Sequence, residues 1–324
     1  MDLLIVEALE PELMAWLSAR YELRFAPELA FDRIGFREAL EDARAAIVPA
    51  SVAVDAQTLR VAPDLRAIGR VSAGIENIDL DACARAGVEV VRSQNATAAA
   101  EAEFMIGALL ALMRRTAPSI EGLPVTRELG SARVGLIGMT PPARVMSQLL
   151  GAFGARVVGY DPGLHASDPV WSRWRVESVG LRELFETCDA LCVQLGYFSR
   201  WRGLLGDRWL PHGKPQQVMV SISHSGLFDE SALAAALNGG PMAAAWLDSV
   251  EPGMLDEGRP LATAPNLQVT PRLASTTRES RLRSAWVVVQ RIDELLSRPR
   301  GERAFSSTTS PGALPDRPGD LVSS

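Results

Sequence analysis

Cysteines are few, and their number and spacing exclude a disulfide framework or a cysteine-based metal site. Cys83, Cys188 and Cys192 make an odd count in 324 residues, and no two of them stand at a paired metal-ligand spacing. Cys188 and Cys192 bracket an apolar segment typical of a buried strand. We therefore expect three core thiols in a reducing compartment and no metal.

Long apolar runs and basic stripes are also missing. No stretch reaches the roughly 18 to 20 apolar residues that a membrane span needs, and no basic segment precedes the apolar N-terminal run, as it would in a secretory signal. A net charge of -6 and a pI near 5.3 are unfavourable for binding nucleic acid or an anionic membrane surface. These absences predict a cytoplasmic protein with a small soluble partner.

Two series of short apolar segments alternate with amphipathic ones. A chain of 324 residues with 47% hydrophobic content is long enough for two cores. The first series lies at 3–6, 45–48, 65–68 and 88–91, and the second at 134–138, 156–160, 189–195, 217–222, 243–247 and 267–270. Near-continuous apolar strands between helices predict α/β domains with parallel sheets covered on both faces.

Two helices and a tail complete this organisation. Residues 100–115 are apolar almost all round, which predicts a helix buried between domains or in a subunit interface. Thr276 and Glu279 fit a capping box at the start of a later helix that we expect to pack onto the first domain. Its apolar face is formed by Leu282, Trp286, Val289, Ile292 and Leu296. The composition of residues 299–324 predicts a disordered tail.

The second series contains most parts of a dinucleotide site. Such a site needs a strand, a tight glycine turn, a helix N-terminus with free N–H groups, and an acid that holds the ribose. The strand ends at Gly138, an apolar-faced helix follows from Pro142, and Asp161 ends the next strand. An acid at that place favours NAD over NADP, whose extra phosphate it would repel.

The glycine fingerprint is incomplete. The pattern G-x-G-x-x-G reads here as Gly138, Met139, Thr140, Pro141, Pro142 and Ala143. Thr140 places a Cβ where the backbone should approach a phosphate, and the two prolines have no N–H to donate. Two interpretations stay open: weak NAD binding, or a domain that has lost its ligand, since proline is also well accommodated in the first turn of a helix.

At this point the chain resembles the D-isomer-specific 2-hydroxyacid dehydrogenases, the family of D-lactate, phosphoglycerate, formate and phosphite dehydrogenases. The resemblance covers nearly everything before the tail. It rests on segments in the family's order and spacing, at 70–91, 102–115, 133–138, 157–162, 226–240, 247–252 and 264–271. Only the segment between Arg115 and Arg133 is shorter than is usual for the family.

The resemblance implies two doubly wound parallel-sheet domains, with a Rossmann dinucleotide-binding domain (99–274) inserted in a flavodoxin-like substrate domain (1–98 plus 275–298). It implies a homodimeric NAD-dependent oxidoreductase that binds a small anionic carboxylate between its domains. Ala73 and Gly74, with backbone N–H groups, and Asn77 would contact the substrate. Asp248 would belong to the cofactor side.

The family's three catalytic residues are all replaced. Its arginine clamps the substrate carboxylate, and its histidine, oriented by a glutamate, transfers the proton. The arginine position holds His224 and the histidine position holds Arg272. The glutamate position holds Gly253, with Glu251 two residues earlier.

These replacements allow two interpretations. In the first, His224 and Arg272 exchange roles across one pocket, and Glu251 supplies the orienting carboxylate, so the site is active but rearranged. In the second, catalysis has lapsed, and the chain keeps the fold as a ligand-binding or partner protein, or performs non-redox chemistry.

Other candidate functional residues have weaker support from the sequence. His165 and His212 have no carboxylate or cysteine at ligand spacing, so we expect them to be solvated. A serine nucleophile beside His224 is disfavoured, because neighbours in sequence cannot easily meet as nucleophile and base. Four tryptophans in one region are more typical of packing than of a ligand pocket, and they are Trp171, Trp174, Trp201 and Trp209.

Overall fold

The computed structural model describes residues 1–71, 77–93, 95–115, 119–120, 123–264 and 266–297. The strands are β1 (Leu3–Ile5), β2 (Leu23–Phe25), β3 (Ala45–Ile47), β4 (Ala67–Arg70), β5 (Glu89–Arg92), β6 (Ser119–Ile120), β7 (Leu123–Pro124), β8 (Arg133–Ile137), β9 (Arg156–Tyr160), β10 (Glu177–Ser178), β11 (Ala190–Val193), β12 (Gln217–Ser221), β13 (Met242–Leu247) and β14 (Leu267–Val269). The α-helices are α1 (Pro11–Ser18), α2 (Arg33–Leu40), α3 (Ala56–Arg60), α4 (Leu80–Ala86), α5 (Ala98–Arg115), α6 (Pro141–Phe153), α7 (Pro169–Arg173), α8 (Leu181–Thr187), α9 (Glu230–Leu237) and α10 (Arg278–Ser297).

The first sheet has five parallel strands in the order β2-β1-β3-β4-β5. This is the flavodoxin-like doubly wound order expected for the substrate domain. Four of its strands coincide with the predicted apolar segments. The fifth, β2, was not predicted, because it is an edge strand with Arg24 and Phe25 exposed and therefore carries no buried apolar run.

The second sheet has seven parallel strands in the order β10-β9-β8-β11-β12-β13-β14. If β8 is numbered 1 and the strands are counted along the chain, strands 1 to 6 lie in the Rossmann order 3-2-1-4-5-6. This confirms the predicted fold class. The strand order reverses between β8 and β11, and at such a switch point the loops diverge and leave a crevice at the carboxyl ends of the strands. The two-residue edge strand β10 was also missed, since its residues are polar and partly exposed.

The helix α5 is buried within the chain itself. Met105, Leu109 and Leu112 lie in one core with residues of the second sheet and of α6, such as Val220 and Met146. The prediction of a buried helix is therefore confirmed, and its burial needs no second subunit.

The last helix, α10, returns to the first sheet as expected. Val289 and Ile292 are fully buried against Leu3 and Ile5. Its N-terminal cap was predicted one residue too early. The hydroxyl of Thr277, not Thr276, accepts the N–H of Ser280, at 3.0 Å. The hydroxyl of Thr276 instead donates to the carbonyl of Leu273, at 3.0 Å, in the preceding turn.

The three cysteines lie in the cores, as expected. Cys83, Cys188 and Cys192 are buried free thiols. Burial raises the pKa of Cys188 to about 11, so the thiol stays protonated and unreactive at neutral pH. Among the described helices, none combines the length and the apolar character of a membrane span. The predicted tail lies outside the described residues.

Candidate active site

The predicted site positions of the second domain lie at the carboxyl edge of the seven-stranded sheet. In a parallel sheet the loops that follow all strands emerge at this edge. The glycine turn follows β8, Asp161 follows β9, His224 follows β12, Asp248 follows β13 and Arg272 follows β14. The sequence order of strands therefore places all of these positions on one rim.

Gly138 is required at the turn after β8. Its φ is 99°, and a Cβ there would lie 2.7 Å from the Cα of Leu195. Its N–H donates to the carbonyl of Tyr160 at 2.8 Å. The one glycine kept from the fingerprint is thus the one that the tight turn needs.

The rest of the turn offers few donors to a pyrophosphate. The N–H of Met139 donates to the carboxylate of Asp161, at 2.7 Å, and the N–H of Ala143 donates to the carbonyl of Thr140, at 2.9 Å. Pro141 and Pro142 have no N–H. Within the described part of the chain, the N–H of Thr140 is then the one donor of residues 139–143 that has no partner.

Asp161, the predicted ribose acid, is itself engaged with the backbone. Besides Met139, it accepts the N–H of Gly163 at 2.8 Å. Each carboxylate oxygen has a second lone pair. A ribose hydroxyl can therefore still donate to Asp161, in a geometry that the turn has already fixed.

Thr140 and Gln194 join the two sides of the switch point. The hydroxyl of Thr140 donates to the carbonyl of Gln194, and the amide of Gln194 donates to the carbonyl of Gly138, both at 3.0 Å. Thr140 is thus an anchor of the turn as well as an obstacle to a phosphate. Sequence reasoning missed Gln194, although its place just after a buried strand was visible.

Two buried polar atoms near this edge have no hydrogen-bond partner among the described residues: Oε1 of Gln194 and Oγ of Ser223. Buried polar atoms are usually paired, and an unpaired one calls for an explanation such as a missing polar ligand. Together with Gly138 and Asp161, these atoms are suited to binding the nucleoside parts of a dinucleotide. The glycine turn offers few N–H donors to its pyrophosphate.

Asp248, predicted to lie on the cofactor side, organises the next loop. It is buried, with 4% of its surface exposed. Its carboxylate accepts the hydroxyl of Thr270 at 2.6 Å and the N–H groups of Leu273 and Ala274 at 2.8 and 2.9 Å. Both oxygens therefore bind groups of the protein, and Oδ2 keeps one lone pair. The place of Asp248 on the cofactor side stays a prediction.

His224 is held by its own loop and by an aromatic ring. Its Nδ1 accepts the N–H of Gly226 at 3.0 Å, so the neutral ring carries its proton on Nε2. The imidazole is half-buried and stacks on Tyr197, with ring centroids 4.3 Å apart. The ring therefore presents an N–H donor, as an arginine at this position would.

Glu251 does not orient His224, which corrects the prediction. Its carboxylate forms an ion pair with Arg202, at 3.1 Å, and its N–H donates to the hydroxyl of Ser225, at 2.8 Å. Arg202 also lies 3.4 Å from the hydroxyl of Tyr197. The carboxylate thus acts on the ring that supports the imidazole, through a residue that sequence reasoning missed.

Arg272 lies on the loop that Asp248 organises. It is exposed, and its φ of 57° is unusual for a residue with a side chain. Its Nε donates to the hydroxyl of Ser249 at 3.3 Å. Among the described residues no hydrogen bond, ion pair or ring contact joins Arg272 to His224, and the terminal guanidinium nitrogens have no partner.

Gly253 cannot simply be replaced by the family glutamate. Its φ is 82°, and a Cβ would lie 3.3 Å from a carboxylate oxygen of Asp256. A side chain would thus be strained, and a carboxylate would meet a like charge.

The substrate loop is only partly open to description. Ala73 and Gly74, predicted to bind the substrate, lie outside the described residues. Asn77 is described, and its amide nitrogen donates to the carbonyls of Pro49 and Val52, at 3.2 and 2.5 Å. These hydrogen bonds fix Asn77 to the segment at 49–52. A contact of Asn77 with the substrate stays a prediction.

The remaining candidates lie at the surface or in the packed interior. His165 and His212 are exposed, and no group of three or more potential metal ligands occurs in the described part of the chain. All four tryptophans lie in or against the two cores of the second domain; they are Trp171, Trp174, Trp201 and Trp209.

Comparison with known proteins identifies the family of the chain. Residues 108–274 match the family model described as D-isomer specific 2-hydroxyacid dehydrogenase, NAD binding domain. The (S)-sulfolactate dehydrogenase of Chromohalobacter salexigens is 29% identical over 304 residues, which are 91% of this chain and 98% of that protein. The D-3-phosphoglycerate dehydrogenase of Mycobacterium bovis is 30% identical over 300 residues, 89% of this chain but only 56% of that protein.

Among solved structures, the TT0316 protein of Thermus thermophilus aligns with a TM-score of 0.73 and 25% identity, over 91% of this chain and 97% of that one. The family model alone covers more than half of the 324 residues. The chain therefore belongs to the D-isomer specific 2-hydroxyacid dehydrogenase family, with NAD as the cofactor of its dinucleotide-binding domain.

Proposed function

We propose that the chain is an NAD-dependent oxidoreductase that acts on a small carboxylate substrate through a rearranged active site. The observation that carries this proposal is His224, because its fixed Nε2–H stands where the family keeps an arginine. When bound, NAD supplies or accepts the hydride at the substrate carbon. The chain's own residues bind the carboxylate and handle the proton.

His224 is the proposed proton donor in the direction of reduction. The carbonyl oxygen of a 2-keto acid gains a proton as the hydride reaches its carbon. The imidazolium form of His224 provides this proton from Nε2 and is left as the neutral ring; to form the imidazolium, Nδ1 takes a proton from solvent and gives up the hydrogen bond that it accepts from Gly226. Tyr197 keeps the ring plane in place by stacking. Glu251 holds Tyr197 through Arg202 and is therefore a positioning residue.

Arg272 is the proposed carboxylate clamp. Its Nε is anchored on Ser249, which leaves the terminal nitrogens for a planar, bidentate contact with a carboxylate. Arg202 is less suited, because its terminal nitrogens already contact Glu251 and Tyr197. The exchange of roles between positions 224 and 272 is thus retained, with a different support for the imidazole.

The domain boundaries and the homodimer remain proposals. The division into 1–98 plus 275–298 and 99–274 is supported by the two separate sheets and by the return of α10 to the first. The homodimer is supported by the family resemblance alone. The helix α5 gives no support for it, because α5 is covered by its own domain. NAD affinity is proposed to be weak, because the glycine turn has few donors.

The alternative is a lapsed or non-redox relative. The observations that favour it are the donor-poor glycine turn and the left-handed Gly253, which removes the family glutamate. A ligand-binding protein of this kind would keep the crevice and lose hydride transfer.

Titration with NADH, followed by NADH oxidation over a panel of 2-keto acids, tests the proposal. His224→Gln should abolish turnover without changing NADH binding, and Arg272→Lys should mainly raise KM, because a point charge holds a carboxylate less well than a fork. His212→Gln, an exposed histidine, is the matched control. NADH binding without oxidation of NADH by any 2-keto acid would favour the lapsed relative.

A further inference from the structure

A second cavity lies away from the proposed reaction site, on the outer side of α6. It has a volume of about 1040 Å³ and lies between α6 and the C-terminal end of α7, with Asn95 and Ala98 at its border. Its lining includes Arg144, Gln148, Arg173, Trp174 and Arg175. Pro141 is the one lining residue that also belongs to the glycine turn.

The charge of this cavity is opposite to that of the whole chain. Among the described residues, its lining contains three arginines and no aspartate or glutamate, whereas the chain has a net charge of -6. A cleft lined by one sign of charge concentrates ligands of the other sign. The cavity is therefore suited to an anion.

The three arginines have no partners in the described part of the chain. Neither ion pairs nor hydrogen bonds engage the guanidinium groups of Arg144, Arg173 and Arg175, while Arg156 nearby pairs with Glu177 at 2.8 Å. Unpaired guanidinium groups have donors free for phosphate oxygens, which they bind in a bidentate manner.

The end of α7 holds two of these arginines beside an aromatic side chain. The N–H of Val176 donates to the carbonyl of Trp171 at 2.9 Å, which closes the helix and leaves Arg175 with a φ of 55°. This place in a helix end usually takes glycine. Trp174 between them is half-buried and packs on the core beside α6.

We propose that this cavity binds a nucleoside monophosphate or a similar organic phosphate, at a site separate from that of NAD. The arginines bind the phosphate, and Trp174 with the amides of Gln148 and Asn95 contacts the planar part. The volume is at the upper end of what small-ligand pockets occupy, roughly 300 to 1,000 Å³. Its described lining includes none of Gly138, Asp161 and His224, and it shares with the glycine turn only Pro141, which has no N–H for a phosphate. We therefore expect both ligands to bind together.

Calorimetric titration of the full chain with adenosine monophosphate tests this proposal. Binding should persist in saturating NADH and in Asp161→Asn, and it should weaken roughly 100-fold in Arg144→Gln/Arg173→Gln, about tenfold for each lost charged contact. The control pair Arg60→Gln/Arg278→Gln removes two exposed arginines elsewhere and should leave the affinity unchanged. Trp174→Leu should weaken adenosine monophosphate and leave inorganic phosphate unaffected.

Three results would overturn the proposal. The first is no binding of adenosine monophosphate at about 1 mM. The second is equal affinity for inorganic phosphate, which would show that the planar part is not recognised. The third is a change in molecular mass by light scattering in Arg144→Gln/Arg173→Gln, which would make the cavity a contact between copies of the chain.

Discussion

The imidazole of His224 stacks on the ring of Tyr197, with centroids 4.3 Å apart and planes inclined by 18°. Since Nδ1 is bound to the N–H of Gly226, this contact fixes the direction of Nε2–H. Two residues from different loops, after β11 and β12, therefore define one donor at the carboxyl edge.

Removing the stacked ring should disturb this donor. Tyr197→Leu should lower kcat/KM by roughly 2- to 10-fold, since an aromatic pair contributes about 0.5 to 1.5 kcal/mol. Tyr197→Phe keeps the ring and should retain most of the activity. The NMR shifts of the His224 ring protons provide an activity-independent measurement. They should move in the leucine variant only, and unmoved shifts would contradict the stacking.

Returning an N–H to the glycine turn should strengthen NAD binding. Pro141→Arg restores a backbone donor and adds a guanidinium in the first turn of α6, so NADH should bind about tenfold more tightly, as expected for one charge-assisted hydrogen bond. Pro211→Arg, at an exposed proline, is the control. An unchanged dissociation constant in fluorescence titration would show that the missing donors do not limit affinity.

Restoring the family glutamate should be costly. Gly253→Glu places a side chain at a φ of 82° beside Asp256, and we expect a loss of about 1 to 3 kcal/mol in the free energy of unfolding. Gly107→Glu, in the exposed middle of α5 with open space around it, should be neutral or stabilising. Urea denaturation measures both, and a Gly253→Glu variant as stable as the parent would disprove the strain.

Glu101 should make stability depend on pH. Burial raises the pKa of its carboxyl, the nearby Asp248 carboxylate raises it further, and a hydrogen bond with Thr97 opposes both. A raised folded-state pKa in an acid means that its contribution is greatest when the group is protonated, below the unfolded pKa near 4.5, and is lost as pH rises through the folded value.

Glu101→Gln should therefore be more stable than the parent at pH 7, and this advantage should shrink as the pH falls towards 4.5, the ordinary value for glutamate. The effect is read from urea denaturation at several pH values. Glu103→Gln, on the exposed side of the same helix, should show no such trend. A difference in the free energy of unfolding that does not change with pH would show that the pKa of Glu101 is not raised in the folded state.

The sequence by itself determined the framework. Buried strands such as β8 and β11 leave continuous apolar runs, and the return of α10 follows from its apolar period, because burial on both faces of a sheet selects such patterns. Gly138 and Asp161 were predicted from their spacing in the sequence, since each directly follows an apolar strand, β8 and β9 respectively. The edge strands β2 and β10 escaped, because exposed strands need no apolar pattern.

The tertiary structure alone decided which side chains meet. Glu251 pairs with Arg202, 49 residues earlier in the chain, and Asp248 binds Leu273 and Ala274 across two loops. No local pattern encodes these contacts, because loop backbones are positioned by the strands that carry them. The left-handed conformations of Gly253 and Arg272 have the same origin. The sequence predicted that Glu251 orients His224. In the structure the backbone N–H of Gly226 binds the imidazole instead.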